Sequence, residues 1–544
     1  MKVFSSKNFI YFGFTFLFVI GLYFSKDFGI SWDEHGHRKR GKQNIAYISR
    51  VLGLENFLPV PQHVKNPDIR VIGYGPMFEI LCLASEKLFL IEDGKKIYQF
   101  RHKINFTIYF ISAFILYLFL KLFFNSQVFG LIGAMFYLLN PRILAHGFFN
   151  PKDSISQAII ACAILPLFLT YRKKSISMSL ISGLLVGIAI TIRLPIIYIP
   201  FLFILLIIFR NFNDWSTFRI EVKNVKIIIY FLTASIISIF LCFPELWDAP
   251  IKKFQIIFGK LSHYQWAGNN LYLGKLIPAF NAPWHYIPVW IVVTTPITFL
   301  MVFIVGILKS FIDVINRRGK DYLFQTFMLA GFIVPIVIIA FIKSTLYNGW
   351  RHVFFIYPFI VFFMAYGFQI IYQWLSLKFT RNNTKILCGL IIITFSNPLF
   401  FIFSAHPNQH VYFNKFAGPD PLENFEGDYW AASMRQAVDW IAENDARNNI
   451  NVLSPLNVAW KNNVMLNKNY RDKLNYLPIK PISLNSEIRK NDKNLSGDKI
   501  IKSPVSYFIT NSRLEKEGYT LKSKNEVFSV NSGNLKLWTV YKDD

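Results

Sequence analysis

Long apolar runs recur along this chain from residue 8 to residue 404 and then stop. Crossing a bilayer takes about 20 apolar residues of helix. The pattern therefore predicts membrane spans at 8–24, 103–124, 127–147, 154–171, 177–192, 194–210, 226–246, 286–308, 324–343, 351–374 and 385–404. A further stretch, VIGYGPMFEILCLASEKLFLI at 71–91, contains Glu79, Glu86 and Lys87. A charge at mid-bilayer costs about 2.5–3.5 kcal/mol on insertion scales. Glu79 and Glu86 stand seven residues apart and share a helical face, the pattern of a helix lying in the membrane interface.

The polar loops decide between eleven and twelve spans. If 71–91 does not cross, YRKKS at 171–175, the 210–226 loop, INRRGKD at 315–321 and LKFTRNNTK at 377–385 all face the cytoplasm, as the positive-inside rule expects. If it crosses, each is pushed outside. The expectation is eleven spans, N-terminus cytoplasmic and C-terminus outside, with the basic segment EDGKKIYQFRHK (92–103) as the exception. The first span, preceded by a short basic start, has no convincing small-residue cleavage site after it and reads as a retained helix. This topology gathers Asp33-Glu34, the Asn150–Asp153 loop, the 247–285 loop, the turn before Arg351-His352 and the whole C-terminal tail on the outer face.

Beyond residue 404 the pattern changes period. RQAVDWIAEN (435–444) has helical spacing, with Ala437, Val438 and Ile441 on one side. INVLSP (450–455), PVSYFITN (504–511) and EVFSVNSGNLKLWTVYK (526–542) read as strands, the last a hairpin turning at Asn531-Ser532-Gly533. Residues 484–503 read as a polar loop. The fold class is a polytopic α-helical membrane protein over 1–404, followed by a small α/β domain outside the membrane over 405–544. No internal repeat is visible.

Composition agrees: 53% of the 544 residues are hydrophobic and 17% aromatic, and mean hydropathy is +0.35. The net charge of +26 comes from Lys and Arg crowding the loops, which favours the positive-inside reading over nucleic-acid binding. The four cysteines, Cys82, Cys162, Cys242 and Cys388, lie within apolar segments and read as packing residues.

Chemistry concentrates in four places. SWDEHGH puts Asp33 and Glu34 beside the bilayer; it reads either as a solvated loop or as a general base with a neighbour that orients it or holds a cation. His35 and His37 with Asp33 match no established zinc spacing. NPRILAHGFFNPKDSISQ (140–157) carries Arg142 and His146 on one helical face, then Lys152 and Asp153. Asp153 or Ser154 suits a helix N-cap, and Arg142 suits a lipid phosphate. YNGWRHVFFIYPF (347–359) opens a span with Arg351 and His352, either snorkelling cations in an aromatic belt or a second phosphate clamp. HPNQHVYFNKFAG (406–418) reads as interfacial, and Glu245, Asp248, SHYQWAG and APWHYIPVW add polar and aromatic groups to the same face.

In order and sidedness, these segments resemble the GT-C superfamily of membrane glycosyltransferases, most nearly the bacterial family 39 relatives of protein O-mannosyltransferases and lipid A aminoarabinose transferases. The likeness is carried by WDE, YGPMFEIL, NPRILAHGFFNPKD, PWHYIPVW, GWRHVFFIYP, HPNQHVYFNKFAG and FEGDYW, and covers about residues 8–440. It implies a hexosyl- or pentosyltransferase of the bacterial inner membrane that moves a sugar from a polyprenyl-phosphate donor to an acceptor at the outer face. The acceptor class (protein, lipid or polysaccharide) stays open. In such enzymes an acidic residue of the first outer loop is the base, here Asp33 with Glu34 beside it, and one in the second outer loop assists, here Asp153. Lys152, Arg142, Arg351, His352 and His146 are the matching candidates for gripping the substrate. No feature decides for or against a divalent cation. Alternatives are a transporter or flippase of lipid-linked saccharides, a non-catalytic membrane scaffold, and a polysaccharide polymerase or ligase on the same fold. Arg193 and Pro195, the strongest candidates for the buried polar features that a transporter needs, read as a short outer turn.

Overall fold

The computed structural model describes residues 7–54, 74–211, 221–262, 266, 268–319, 321–379, 382–454, 459–477, 505–516 and 525–542. The polar loop expected at 484–503 lies outside them. Eight described helices are long and apolar enough to cross a membrane, which makes this an integral membrane protein. They include α1 (Lys7–Phe24), α4 (Gly94–Phe124), α7 (Asp153–Lys173) and α10 (Val222–Cys242). The rest are α13 (Ile297–Ile315), α14 (Tyr322–Phe341), α15 (Tyr357–Lys378, entered through a 3₁₀ turn at Arg351–Ile356) and α16 (Asn383–Ser404). The expected count of eleven rests on three weaker elements. Helices α8 (Ile176–Ile192) and α9 (Tyr198–Ile208, after a 3₁₀ turn at Leu194–Ile197) are apolar but short. Helices α5 (Gln127–Leu138) and α6 (Pro141–Phe149) form a pair bent by 68°.

Two expected spans are broken, and both breaks have a local cause. Asn140 caps α6 through its side chain, and Pro141, which lacks an N–H, stands at the first helical position, so 127–147 is two helices rather than one. Pro296 likewise separates α12 (Tyr286–Thr294) from α13 within the expected 286–308 span. Elsewhere the bundle closes tightly. A Cβ on Gly306 would clash with the Phe363 carbonyl, and one on Gly367 with the Val302 carbonyl, so α13 and α15 meet backbone to backbone.

The bundle has two chemically different ends. At one, basic turns are tied together by Arg172–Asp321 at 3.0 Å and by the Lys174–Glu221 pair. At the other lie Asp33, the 150–153 turn and Arg351, under the C-terminal unit. The first loop at this end contains a basic helix, α2 (Glu34–Val51), which the sequence reading left unassigned. Helix α3 (Met77–Leu88) has 12 residues, too few to span. The charged face of α3 does not point to water, as an interfacial helix would have it. Glu79 and Glu86 are buried against Arg101 of α4, and Arg38 of α2 closes on Glu86 at 2.6 Å.

The C-terminal unit is a five-stranded mixed sheet. Strands β1 (Asn269–Tyr272) and β2 (Lys275–Pro278) form a separate hairpin in the long loop. Strands β3 (Ile450–Leu453), β4 (Leu474–Leu477), β5 (Tyr507–Thr510), β6 (Asn525–Ser532) and β7 (Leu535–Lys542) order as β4-β3-β5-β7-β6, the first three parallel and β7 antiparallel to β5 and β6. The expected hairpin is present with its turn at Gly533, whose φ of 58° is in the left-handed region. The amphipathic helix Met434–Asn444 buries Met434, Ala437, Val438 and Ile441, in one core with Ile509, Trp538 and Val540.

Candidate active site

Where the C-terminal unit meets the bundle lies a cavity of about 530 Å³. The bundle side contributes Asp33, Arg40, Tyr74, Lys152, Tyr347 and Arg351; the other walls include Glu426, Asp428, Tyr429, Trp430, Lys461 and Arg513. It joins residues more than 450 positions apart in sequence, such as Asp33 and Arg513.

Arg351 is its central cation. It is 5% exposed, lies 4.7 Å from the centre of the Tyr347 ring and 4.6 Å from that of Trp430, and reaches two carboxylates. Its Nη1 lies 3.2 Å from Asp33 Oδ2 and 3.8 Å from Asp153 Oδ2. The two carboxylates differ in access. Asp33 keeps 31% of its side chain exposed and lines the cavity, whereas Asp153 is fully buried and off the wall. Burial opposes ionisation of Asp33, but Arg351, with Lys152, outweighs it and holds the carboxyl below its usual range.

Asp153 stands at the first position of α7 and is held from three sides. Arg193, at the end of α8, pairs with it; Asn150 Nδ2 donates to Oδ2 at 3.2 Å; and Asn150 Oδ1 accepts from the Asp153 backbone N–H at 2.9 Å. The helix start is thus secured by Asn150 rather than by an Asp153 or Ser154 side-chain cap. Arg193 does belong to a turn at the same end of the bundle as the site, but its role as the buried partner of Asp153 was not read from sequence.

Lys152 lines the cavity with its ammonium 2.9 Å from the centre of the Tyr74 ring. Burial, then Arg193, pulls it well below the ordinary lysine range. Burial also pushes the His37 imidazole down to about 3 against the attraction of Asp33, so this wall residue is neutral near pH 7. Lys152, Arg40 and Lys461 have no carboxylate partner among the described residues.

Four expected site residues fall elsewhere. Glu34 is 2% exposed and off the cavity wall; it accepts from the Ser31 backbone N–H at 2.6 Å and lies 2.8 Å from His102 Nε2 of α4. One step along a helix rotates a side chain by about 100°, so of two adjacent carboxylates only Asp33 reaches the cavity. Arg142 is buried on α6, donates to the Tyr412 carbonyl at 3.1 Å, and packs over Trp290 and Phe413. His146 is buried among Phe149, Phe354 and Trp430. His352 packs its ring edge-on against Tyr347 at 4.5 Å. None of the three lines the cavity. Among the described residues no group of three His, Cys, Asp or Glu side chains is arranged to hold a metal ion.

The sequence reading missed Tyr74, Tyr429, Lys461 and Arg513. FEGDYW (425–430), quoted there only for its likeness, supplies one continuous wall. Asp428 anchors it, accepting from the Ser433 backbone N–H at 2.9 Å and lying 2.9 Å from His410 Nε2.

Residues 99–247 match the family described as dolichyl-phosphate-mannose-protein mannosyltransferase. This segment holds Asp153, Lys152 and Arg193 but neither Asp33 nor Arg351. No curated protein matches the sequence. Among solved structures, ArnT from Cupriavidus metallidurans in the apo state aligns over 98% of both chains at 11% identity, with a TM-score of 0.45. The Archaeoglobus fulgidus oligosaccharyltransferase tethered with an acceptor peptide aligns over 81% of this chain and 61% of its own at 12% identity (TM-score 0.43). The archaeal oligosaccharyltransferase AglB from the same organism, in complex with an inhibitory peptide and a dolichol-phosphate, gives 81% and 62% at 11% identity (TM-score 0.42). The chain thus spans about three fifths of the length of these archaeal proteins. In its matched segment the chain resembles the mannosyltransferase family of the GT-C superfamily of membrane glycosyltransferases.

Proposed function

We propose that this chain is a glycosyltransferase of the bacterial inner membrane, moving a sugar from a polyprenyl-phosphate donor to an acceptor at the outer face. The N-terminus is cytoplasmic and the sheet unit, over residues 405–544, lies outside. The sidedness rests on the charge of the short turns: those at 171–175, 315–321 and 377–385 are basic and lie at the end of the bundle away from Asp33, while the basic helix α2 and the 92–103 segment at the Asp33 end count against it.

One observation carries this reading. A partly exposed carboxylate, Asp33, lines one cavity with Arg351 and Lys152, at the end of the helical bundle where the C-terminal unit sits. A polyprenyl tail must stay in the bilayer, so its phosphate and sugar are presented at that level. Lys152, aided by Arg40, stabilises the charge that grows on the departing phosphate. Asp33 accepts the proton of the acceptor hydroxyl as its oxygen attacks the anomeric carbon. A single displacement of this kind inverts the anomeric configuration. Arg351 keeps Asp33 ionised and aimed, and Asp153 with Arg193 fixes Arg351 from behind. Purified protein in lipid, given radiolabelled polyprenyl-phosphate sugars with membranes as acceptor, tests this: the reading expects polyprenyl phosphate release that Asp33→Asn removes.

A further inference from the structure

The aromatic and planar polar residues lining the cavity bear on the acceptor. Trp266 and Tyr347 stack there with ring centres 4.6 Å apart and planes at 28°. Trp32, 41% exposed, presents a second indole, backed by the Lys461 ammonium at 4.3 Å from its ring. The same cavity wall carries planar polar groups. Arg513 is fixed by Glu426 Oε1 at 2.5 Å and by the Asn269 carbonyl at 2.9 Å, and Asn511 precedes it on the wall. Flat aromatic faces match the C–H faces of a pyranose, and fixed planar amide and guanidinium groups match its paired hydroxyls.

Among the described residues the wall offers no free strand edge for an extended peptide to pair with. Peptides held by a sheet pair with a free strand edge. Leu537 on β7 is the one lining residue within a described strand, and both edges of β7 are taken, by β5 and β6. We infer that the acceptor is a saccharide chain, whose terminal sugar rests on the outer face of Trp266, the indole being backed by Tyr347, with one hydroxyl facing Asp33. This rests on the transferase reading above. In the step, the saccharide oxygen bonds to the donor's anomeric carbon, the carbon–oxygen bond to phosphate breaks with its electron pair leaving on polyprenyl phosphate, and the hydroxyl proton passes to Asp33.

The test is made in the encoding organism with the full-length chain. The gene is deleted and restored as wild type, Trp266→Ala or Trp266→Phe. The pool of polyprenyl-phosphate sugars is measured by mass spectrometry, and sugar composition is determined separately on glycans and on proteins. The inference expects deletion to enlarge the donor pool and remove a sugar from a glycan fraction. Trp266→Ala, at wild-type abundance, should cut that modification about tenfold, the order for losing one well-packed aromatic contact, and Trp266→Phe should restore most of it. A larger donor pool with sugar lost from protein side chains overturns the saccharide acceptor and leaves the transferase intact. An unchanged pool with no fraction altered overturns both. Full modification by an abundant Trp266→Ala protein overturns the aromatic subsite.

Discussion

At the scale of single residues, the site depends on one arginine holding two unequal carboxylates. Asp33 is kept below its ordinary range by Arg351, so it is ionised, and able to accept a proton, throughout the neutral range. A base with a lowered pKa loses activity only as pH falls through that value. The rate should therefore hold as pH falls from neutral and drop only at acid pH, and Arg351→Gln should move that acid limb to higher pH; a pH–rate profile of both proteins reads this. Lys152 behaves oppositely. Its pKa is depressed in the free cavity, and a bound phosphate would raise it, so donor binding takes up a proton. Donor affinity should weaken as pH rises above the depressed value, and Lys152→Arg, which stays charged, should flatten that dependence in a binding titration. Asp33 and Arg351 are candidates from their place beside apolar runs and Lys152 from the family likeness, and all three line the cavity. Glu34, Arg142 and His146 carry the same signal and satisfy it differently, through His102, Tyr412 and aromatic packing. Composition beside a span does not tell a wall residue from a buried one; a turn of one residue decides it.

At the scale of elements, the buried Glu79–Arg101–Glu86–Arg38 network fixes α3 and α2 to α4, and Asp33 immediately precedes α2. Removing Arg101 would leave Glu79 buried without its cation and Glu86 held by Arg38 alone. Arg101→Ala should cost about 3–5 kcal/mol, seen as a large drop in melting temperature in detergent, while a double Glu79→Gln, Glu86→Gln change in that background should recover part of it. The spacing of Glu79 and Glu86 did mark a one-sided helix too costly to bury in lipid. It could not mark what that side faces, because the partner is 15 to 22 residues further on, in another helix. The long spans were legible from hydropathy alone. The breaks at Asn140-Pro141 and Thr295-Pro296 had their signal in the prolines and were passed over, because the apolar run continues through both. Helix α2 is strongly basic and lacks an apolar stripe, so periodicity had nothing to detect.

At the scale of the whole molecule, catalysis is assigned to a junction. The bundle supplies Asp33, Lys152 and Arg351, while Leu422, residues 425–430, Lys461, residues 511–514 and Leu537 add walls from the C-terminal side. A chain ending at Ser404 should still insert in the membrane, since its spans are intact, yet transfer no sugar; membrane fractionation and a transfer assay separate the two. The division into a bundle and a sheet unit was readable from the loss of apolar runs after residue 404, but the cavity between them was not, since it pairs positions hundreds of residues apart. The measurement that tests the account most directly is donor turnover by the full-length protein in lipid bilayers, with Asp33→Asn compared at equal abundance. General-base catalysis is worth about 10²–10⁴ in rate, so release of polyprenyl phosphate in the presence of acceptor should fall by at least about a hundredfold, with donor binding retained. Undiminished release by Asp33→Asn would contradict the account.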